Sequence, residues 1–266
     1  MNSLVRPTPS LPQSEALIKL KQLRKSYGRG GKQFLAVSEV SMDIEEGAFV
    51  TIVGPSGCGK TTVLKILAGL HEADGGTFEF RPSFNGGPQD INVGMVFQQP
   101  LLLKWRTVLE NVVLPAEILH LPKKKAVERA HHLLEIVGLK GSEDKYPHEL
   151  SGGMQQRAAI ARALIHDPKL LLMDEPFGAL DALTRERLNL ELLDIWRETG
   201  KTIVLVTHGI QEAIFLGSHC AVFTAGPARM ADYFKVDLPY PRSLEMKTSP
   251  EFGECVKKVY GLLGMK

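Results

Sequence analysis

A short apolar run, Phe49-Val50-Thr51-Ile52-Val53, ends at the octet Gly54-Pro55-Ser56-Gly57-Cys58-Gly59-Lys60-Thr61, and a helical pattern follows from Lys60 to Leu70. No other feature restricts the fold as much. The β-branched run reads as a buried strand. The octet matches G-x-x-x-x-G-K-[ST] in the strand, loop and helix setting that the pattern needs. Its glycines let backbone N–H groups curl around phosphate oxygens, and the helix behind it aims its positive end at the same point. Lys60 then supplies a compact charge for the β- and γ-phosphates. The Thr61 hydroxyl is the expected magnesium ligand, and Thr62 reaches toward the α-phosphate.

The rest of the chain reads as strands alternating with helices. Ile18, Leu20 and Leu23 open a strand, with a turn expected over Tyr27-Gly28-Arg29-Gly30-Gly31. Further strand is expected over Phe34 to Ile44, with Glu46-Gly47 closing a hairpin. Phe78 to Phe80 and Val93 to Phe97 read as strands, and Arg81 to Asp90 as the loop between them. Ala126, Ala130, Leu133, Leu134 and Val137 share one helix face, with Gly138 as the C-cap. A second helix is expected from about Gly153 to His166, stopped by Pro168. Leu170 to Met173 and Thr202 to Thr207 read as buried strands on either side of a helix marked by Leu188, Leu192, Ile195 and Trp196 and ended by Gly200. This alternation predicts a largely parallel α/β core. Beyond residue 225, Arg229 to Leu238 reads as a strand broken by Pro239-Tyr240-Pro241, and Phe252, Val256, Val259, Tyr260 and Leu263 mark a last helix. Met1 to Gln13 reads as a disordered leader without the apolar segment of a secretory signal.

Two more motifs carry chemistry. Leu170-Leu171-Leu172-Met173-Asp174-Glu175 is an apolar strand ending in adjacent carboxylates. Asp174 at the strand tip suits the magnesium shell, and Glu175 suits activation of a water. Leu150-Ser151-Gly152-Gly153-Met154-Gln155-Gln156-Arg157 opens a helix with a small-residue turn, a second place for an anion.

LSGGMQQR between a phosphate-binding loop and a strand ending in Asp-Glu resembles the signature of ATP-binding cassette (ABC) ATPases. Over about Ala16 to Gly226, the resemblance extends to Gln98 as the Q-loop glutamine, Ala179-Leu180-Asp181 as the D-loop and His208 as the switch histidine. Tyr27 matches the aromatic residue that stacks on adenine. Leu102-Leu103-Lys104-Trp105-Arg106-Thr107-Val108-Leu109-Glu110-Asn111-Val112 is similar to a stretch of importer ATPases for nitrate, sulfonates and taurine. Gly226-Pro227-Ala228-Arg229, Pro239-Tyr240-Pro241-Arg242 and Ser249-Pro250-Glu251-Phe252 resemble the same group. Two positions depart from it: Gly209 stands where many members have Asp, and Lys104 where Pro is usual.

The resemblance implies a P-loop NTPase of the ABC ATPase fold: a RecA-like core, an antiparallel β subdomain and a helical signature subdomain at about 99–165. On this reading residues 1–15 are the leader, 16–240 the ATP-binding domain and 241–266 a C-terminal helical tail. It implies an ATP hydrolase that energises uptake of a small solute. Two copies would face head to tail, the ATP on the Gly54–Thr62 loop of one being closed over by Ser151, Gly152, Gly153 and Gln155 of the other, with Asp181 at the junction. Glu175 would be the general base and His208 the γ-phosphate contact, with Mg2+ shared by Thr61, Gln98 and Asp174. The implied partners are membrane permease subunits and a periplasmic or lipoprotein solute-binding protein, and the implied place is the cytoplasmic face of the cell membrane. The alternative is an ABC ATPase of an exporter or lipid transporter. A cassette acting on DNA or ribosomes, and a catalytically silent partner, are weaker readings.

Composition limits the rivals. The 266 residues carry 32 basic and 30 acidic side chains, a net charge of +2, so no large basic field directs the chain to nucleic acid. Cys58, Cys220 and Cys255 form no Cys-x-x-Cys pair, which argues against zinc or a disulfide framework. Cys58, beside a helix N-terminus, is expected to be alkylated readily and protected by bound ATP.

Overall fold

The structure is a computed structural model that describes residues 16–29, 32–81 and 93–265. The leader and most of the 81–90 loop lie outside the described residues. Within them, nine strands form one sheet in the order β4-β1-β2-β9-β8-β3-β7-β6-β5. β3 (Phe49–Val53), β7 (Thr202–Thr207), β6 (Leu170–Asp174) and β5 (Val93–Val96) are parallel, and β8 (His219–Phe223) runs parallel to β3 on its other side. β1 (Ala16–Arg29), β2 (Lys32–Glu45) and β4 (Gly75–Phe80) pair antiparallel. β9 (Ala228–Lys235) joins the two halves, antiparallel to β8 and parallel to β2.

The central strands read as unbroken apolar runs because both of their faces are covered. In β7, Ile203 and Leu205 enter one core while Val204 and Val206 enter the other, and β6 divides Leu171 and Met173 from Leu170 and Leu172 in the same way. Each such side chain, fully removed from water, contributes about 1.5–3 kcal/mol. α1 (Lys60–Leu67) covers one face through Val63, Leu64, Ile66 and Leu67. The opposite face is covered by α5 (Ala182–Thr199), α6 (Ile210–Leu216) and α7 (Pro250–Leu262), with Phe252 and Val259 of α7 buried in the same core. α2 (Val108–Ile118), α3 (Lys123–Ile136) and α4 (Gly152–Leu164) pack on one another beyond β5 and β6.

The structure corrects two turns. β1 runs on through Tyr27, which pairs with Phe34, so the expected turn at 27–29 is strand: cross-strand pairing carries the ladder to Arg29. The Glu46-Gly47 turn closes no hairpin, since β2 and β3 are not neighbours; it carries the chain from the antiparallel half to the parallel half. α2, α6 and β8 are elements that pattern reading passed over.

Candidate active site

The loop after β3 is built to bring backbone close to a ligand. Gly59 adopts φ 109°, and a Cβ there would sit 2.4 Å from the Ala36 carbonyl oxygen. No L side chain fits that position. Gly59 caps α1 and, having no side chain, makes no capping hydrogen bond to the first N–H groups of the helix. Lys60 is buried, and its Nζ donates to the carbonyls of Gly54 at 2.8 Å and Pro55 at 2.9 Å. Its ammonium is thereby held inside the loop.

Parallel pairing brings the acidic strand tip to the same place. Thr61 Oγ1 donates to Asp174 Oδ1 at 3.0 Å, across 113 residues of sequence. Burial pushes the Asp174 carboxyl up, and the Thr61 hydroxyl pulls it back. Hydroxyl and carboxylate oxygens in contact, in a place where an uncompensated negative charge is costly, fit a hard cation such as magnesium. Glu175 follows at φ 44°, a left-handed conformation that non-glycine residues adopt at an energetic cost. Its Oε2 lies 3.1 Å from His208 Nδ1, within hydrogen-bond distance. Ser56, Gly57, Gly59, Lys60, Thr61, Thr62 and Glu175 line one cavity of about 220 Å³. A larger one of about 760 Å³ runs from Gly54, Pro55 and Ser56 past His208 to Tyr260 on α7.

Other expected residues lie elsewhere. Ser151, Gly152, Gly153, Gln155 and Asp181 line neither cavity. Ser151 caps α4, accepting from the Met154 N–H at 3.3 Å, and Asp181 caps α5, accepting from the Thr184 N–H at 3.0 Å. Gln155 Nε2 donates to the Pro147 carbonyl at 2.9 Å, bracing its own loop. Gln98 is exposed; a Cβ on Gly178 would be 3.5 Å from its Nε2 and 3.6 Å from Glu175 Oε2, so all three meet at one corner. Tyr27, at the end of β1, is 37% exposed and meets His71 edge-on at 5.7 Å.

Three braces escaped sequence reading. Gln156 Nε2 donates to the Phe97 carbonyl, tying α4 to the residue before Gln98. Arg162 donates to the carbonyls of Pro100 and Leu101 at 2.6 and 2.7 Å. Asn111 is fully buried, and its amide donates to the carbonyls of Leu103, Arg106 and Thr107. The segment from Gln98 to Asn111 is therefore anchored at several points, while Trp105 on it stands 73% exposed. Cys58 corrects an expectation: it is 1% exposed, and burial pushes its thiol up, outweighing the neighbouring Lys60 charge. It is neither accessible nor activated.

A strand-loop-helix phosphate cradle facing a carboxylate and histidine pair defines a nucleotide hydrolase of the P-loop class. The ABC transporter family model matches residues 37–178. The aliphatic sulfonates import ATP-binding protein of Bacillus licheniformis is 47% identical over 88% of this chain and 89% of its own length. The taurine import ATP-binding protein of Roseobacter denitrificans is 42% identical over 88% of each chain. A dimeric ATP-binding cassette solved in a post-hydrolysis state with ADP and Pi superposes with a TM-score of 0.71 at 33% identity, covering 84% of this chain and all of that one. The chain belongs to the ABC transporter family. It is an ATP-binding and ATP-hydrolysing subunit of the importer type, not the exporter or lipid-transport alternative.

Proposed function

We propose that this subunit drives uptake of a small oxyanion of the sulfonate, taurine or nitrate type through a membrane permease, on the cytoplasmic face of the membrane. A solute-binding protein delivers the cargo. The observation that carries the hydrolytic part is the meeting of Thr61 with Asp174, and of Glu175 with His208, beside the Lys60 loop. The Gly54–Thr62 loop and Lys60 bind the phosphates. Thr61, Asp174 and Gln98 would hold a magnesium ion, whose chemistry there is to neutralise charge on the phosphate oxygens. Glu175 takes the proton of the attacking water, and the His208 ring contacts the γ-phosphate and keeps Glu175 in line. Almost all the rate gain comes from positioning and charge stabilisation. Tyr27 offers its exposed ring to the adenine.

Since Ser151, Gly152, Gly153, Gln155 and Asp181 line neither of these cavities, they complete the site of a second copy, set head to tail. The exposed Trp105 on its braced segment is offered to the permease. Among the described residues no helix is long and apolar enough to cross a membrane, which fits a subunit that borrows its pore from a partner. The test is capture of tagged protein from solubilised native membranes, with partners identified by mass spectrometry. Recovery of a multi-helix permease is expected; recovery of soluble or nucleic-acid partners alone overturns the transport role.

A further inference from the structure

His208 is held to Glu175 by a ring that is half exposed, with a side-chain exposure of 50%. Side-chain packing therefore does little to fix its direction, and the backbone on either side must do so. On one side is Thr207, the last residue of β7. On the other is Gly209, the N-cap of α6, with no side-chain capping bond of its own. In a capping box the carboxylate three residues into the helix takes the N-cap N–H. Here a hydroxyl stands between the two. The Gly209 N–H donates to Thr207 Oγ1 at 3.0 Å, and Thr207 Oγ1 donates to Glu212 Oε2. A closed loop of bonds thus joins the residues before and after His208. The other Glu212 oxygen makes no hydrogen bond to any described residue, so the Thr207 hydroxyl is what holds this carboxylate.

The glycine at 209 belongs to the same device. Its φ is −87°, an extended conformation open to any residue, so backbone freedom is not the reason for it. Space is tighter: a side chain here would press on Glu212. A Cβ there would lie 3.3 Å from Glu212 Cβ and 3.5 Å from Thr207 Oγ1. A bare position lets Glu212 fold down onto the turn. We infer that Glu212 is a positioning residue for His208, acting through the Thr207 hydroxyl, in a turn that carries no carboxylate at 209. The inference rests on the proposed role of His208 at the γ-phosphate.

The test is steady-state ATP hydrolysis by the full chain with magnesium and ATP, alongside thermal melting. Glu212→Ala is expected to lower kcat by about 10- to 100-fold, the loss typical of a catalytic group displaced by an ångström or so. KM for ATP should stay within about 3-fold, because the Lys60 loop is untouched. Thr207→Val, which keeps the strand and removes the hydroxyl, should match it, and the double variant should be no slower than either. Glu212→Gln, still able to accept from Thr207, should retain most of the rate. The inference is overturned by a wild-type kcat in Glu212→Ala, by multiplicative losses in the double variant, or by a lower kcat that comes with a raised KM and a lowered melting temperature. If Glu212→Ala does not fold, the comparison of Thr207→Val with Glu212→Gln decides alone. His208→Ala separates the two levels: wild-type turnover there removes the proposed site. An inactive His208→Ala beside a fully active Glu212→Ala removes only the positioning role.

Discussion

Helices α1 and α4 both begin on glycine-rich turns, and they treat those beginnings in opposite ways. α1 has Gly59 at its cap, left-handed and without a side chain, so its first N–H groups face outward with no internal partner from a capping residue. α4 has Ser151, whose hydroxyl takes the Met154 N–H. The first start meets the acidic strand tip of the same chain through Thr61 and Asp174. The second starts at exposed Ser151 and Gly152, and the residues near it come from α5 and the loop before it: a Cβ on Gly152 would be 3.4 Å from Leu180, and one on Gly153 3.3 Å from Thr184. The difference teaches that one helix start is left uncapped beside the chain's own Thr61 and Asp174. The other is capped by its own serine, and on the proposed head-to-tail pairing it serves the site of the second copy.

The largest effect should come from the chemistry on the α1 side. Glu175→Gln should lower ATP turnover by about 10²- to 10⁴-fold while ATP still binds and a dimer accumulates, checked by phosphate release and size-exclusion with ATP. Unchanged turnover would mean that another group takes the proton. Next, Lys60→Ala removes a charge held at the loop centre and should weaken ATP binding by about 10- to 100-fold in a titration, as expected for a charge-assisted contact.

Mixing sharpens the contrast between the two starts. Lys60→Ala and Ser151→Ala proteins, each nearly inactive alone, should together recover roughly a quarter of the wild-type rate, since a mixed pair has one intact site. No recovery would place Ser151 in its own chain's site or in none. By itself Ser151→Ala also loses a cap, which costs about 1 kcal/mol and should lower the melting temperature by about 2–4 °C. The smallest effect concerns Cys58. A maleimide should label the half-buried Cys255 well before Cys58, at a Cys58 rate that ATP leaves nearly unchanged. Fast, ATP-protected labelling of Cys58 would show that the loop opens far more than its burial implies.

Legibility followed sequence range. β3, β6 and β7 could be read because unbroken β-branched and leucine runs leave few alternatives, and the Gly59-Lys60-Thr61 triplet carries its chemistry within adjacent residues. α6 is a seven-residue helix, too short for periodicity to show, and α2 is apolar nearly all round with Pro115 inside it. β8 is five residues, four of them buried, with no polar alternation to mark its faces.

By itself the sequence determined the strand-loop-helix that cradles phosphate, the carboxylate pair at Asp174 and Glu175, and the order of the remaining motifs. These are local, written in neighbouring side chains and in the glycines that let backbone approach a ligand. Only the tertiary structure decided that Thr61 meets Asp174 and that Glu175 meets His208. It also decided that Gln155 braces its own loop, and that Glu212 reaches Thr207 over a bare Gly209. Those pairings depend on which strands lie side by side and how a chain turns between them, and contacts between distant residues leave no periodic trace in a single chain.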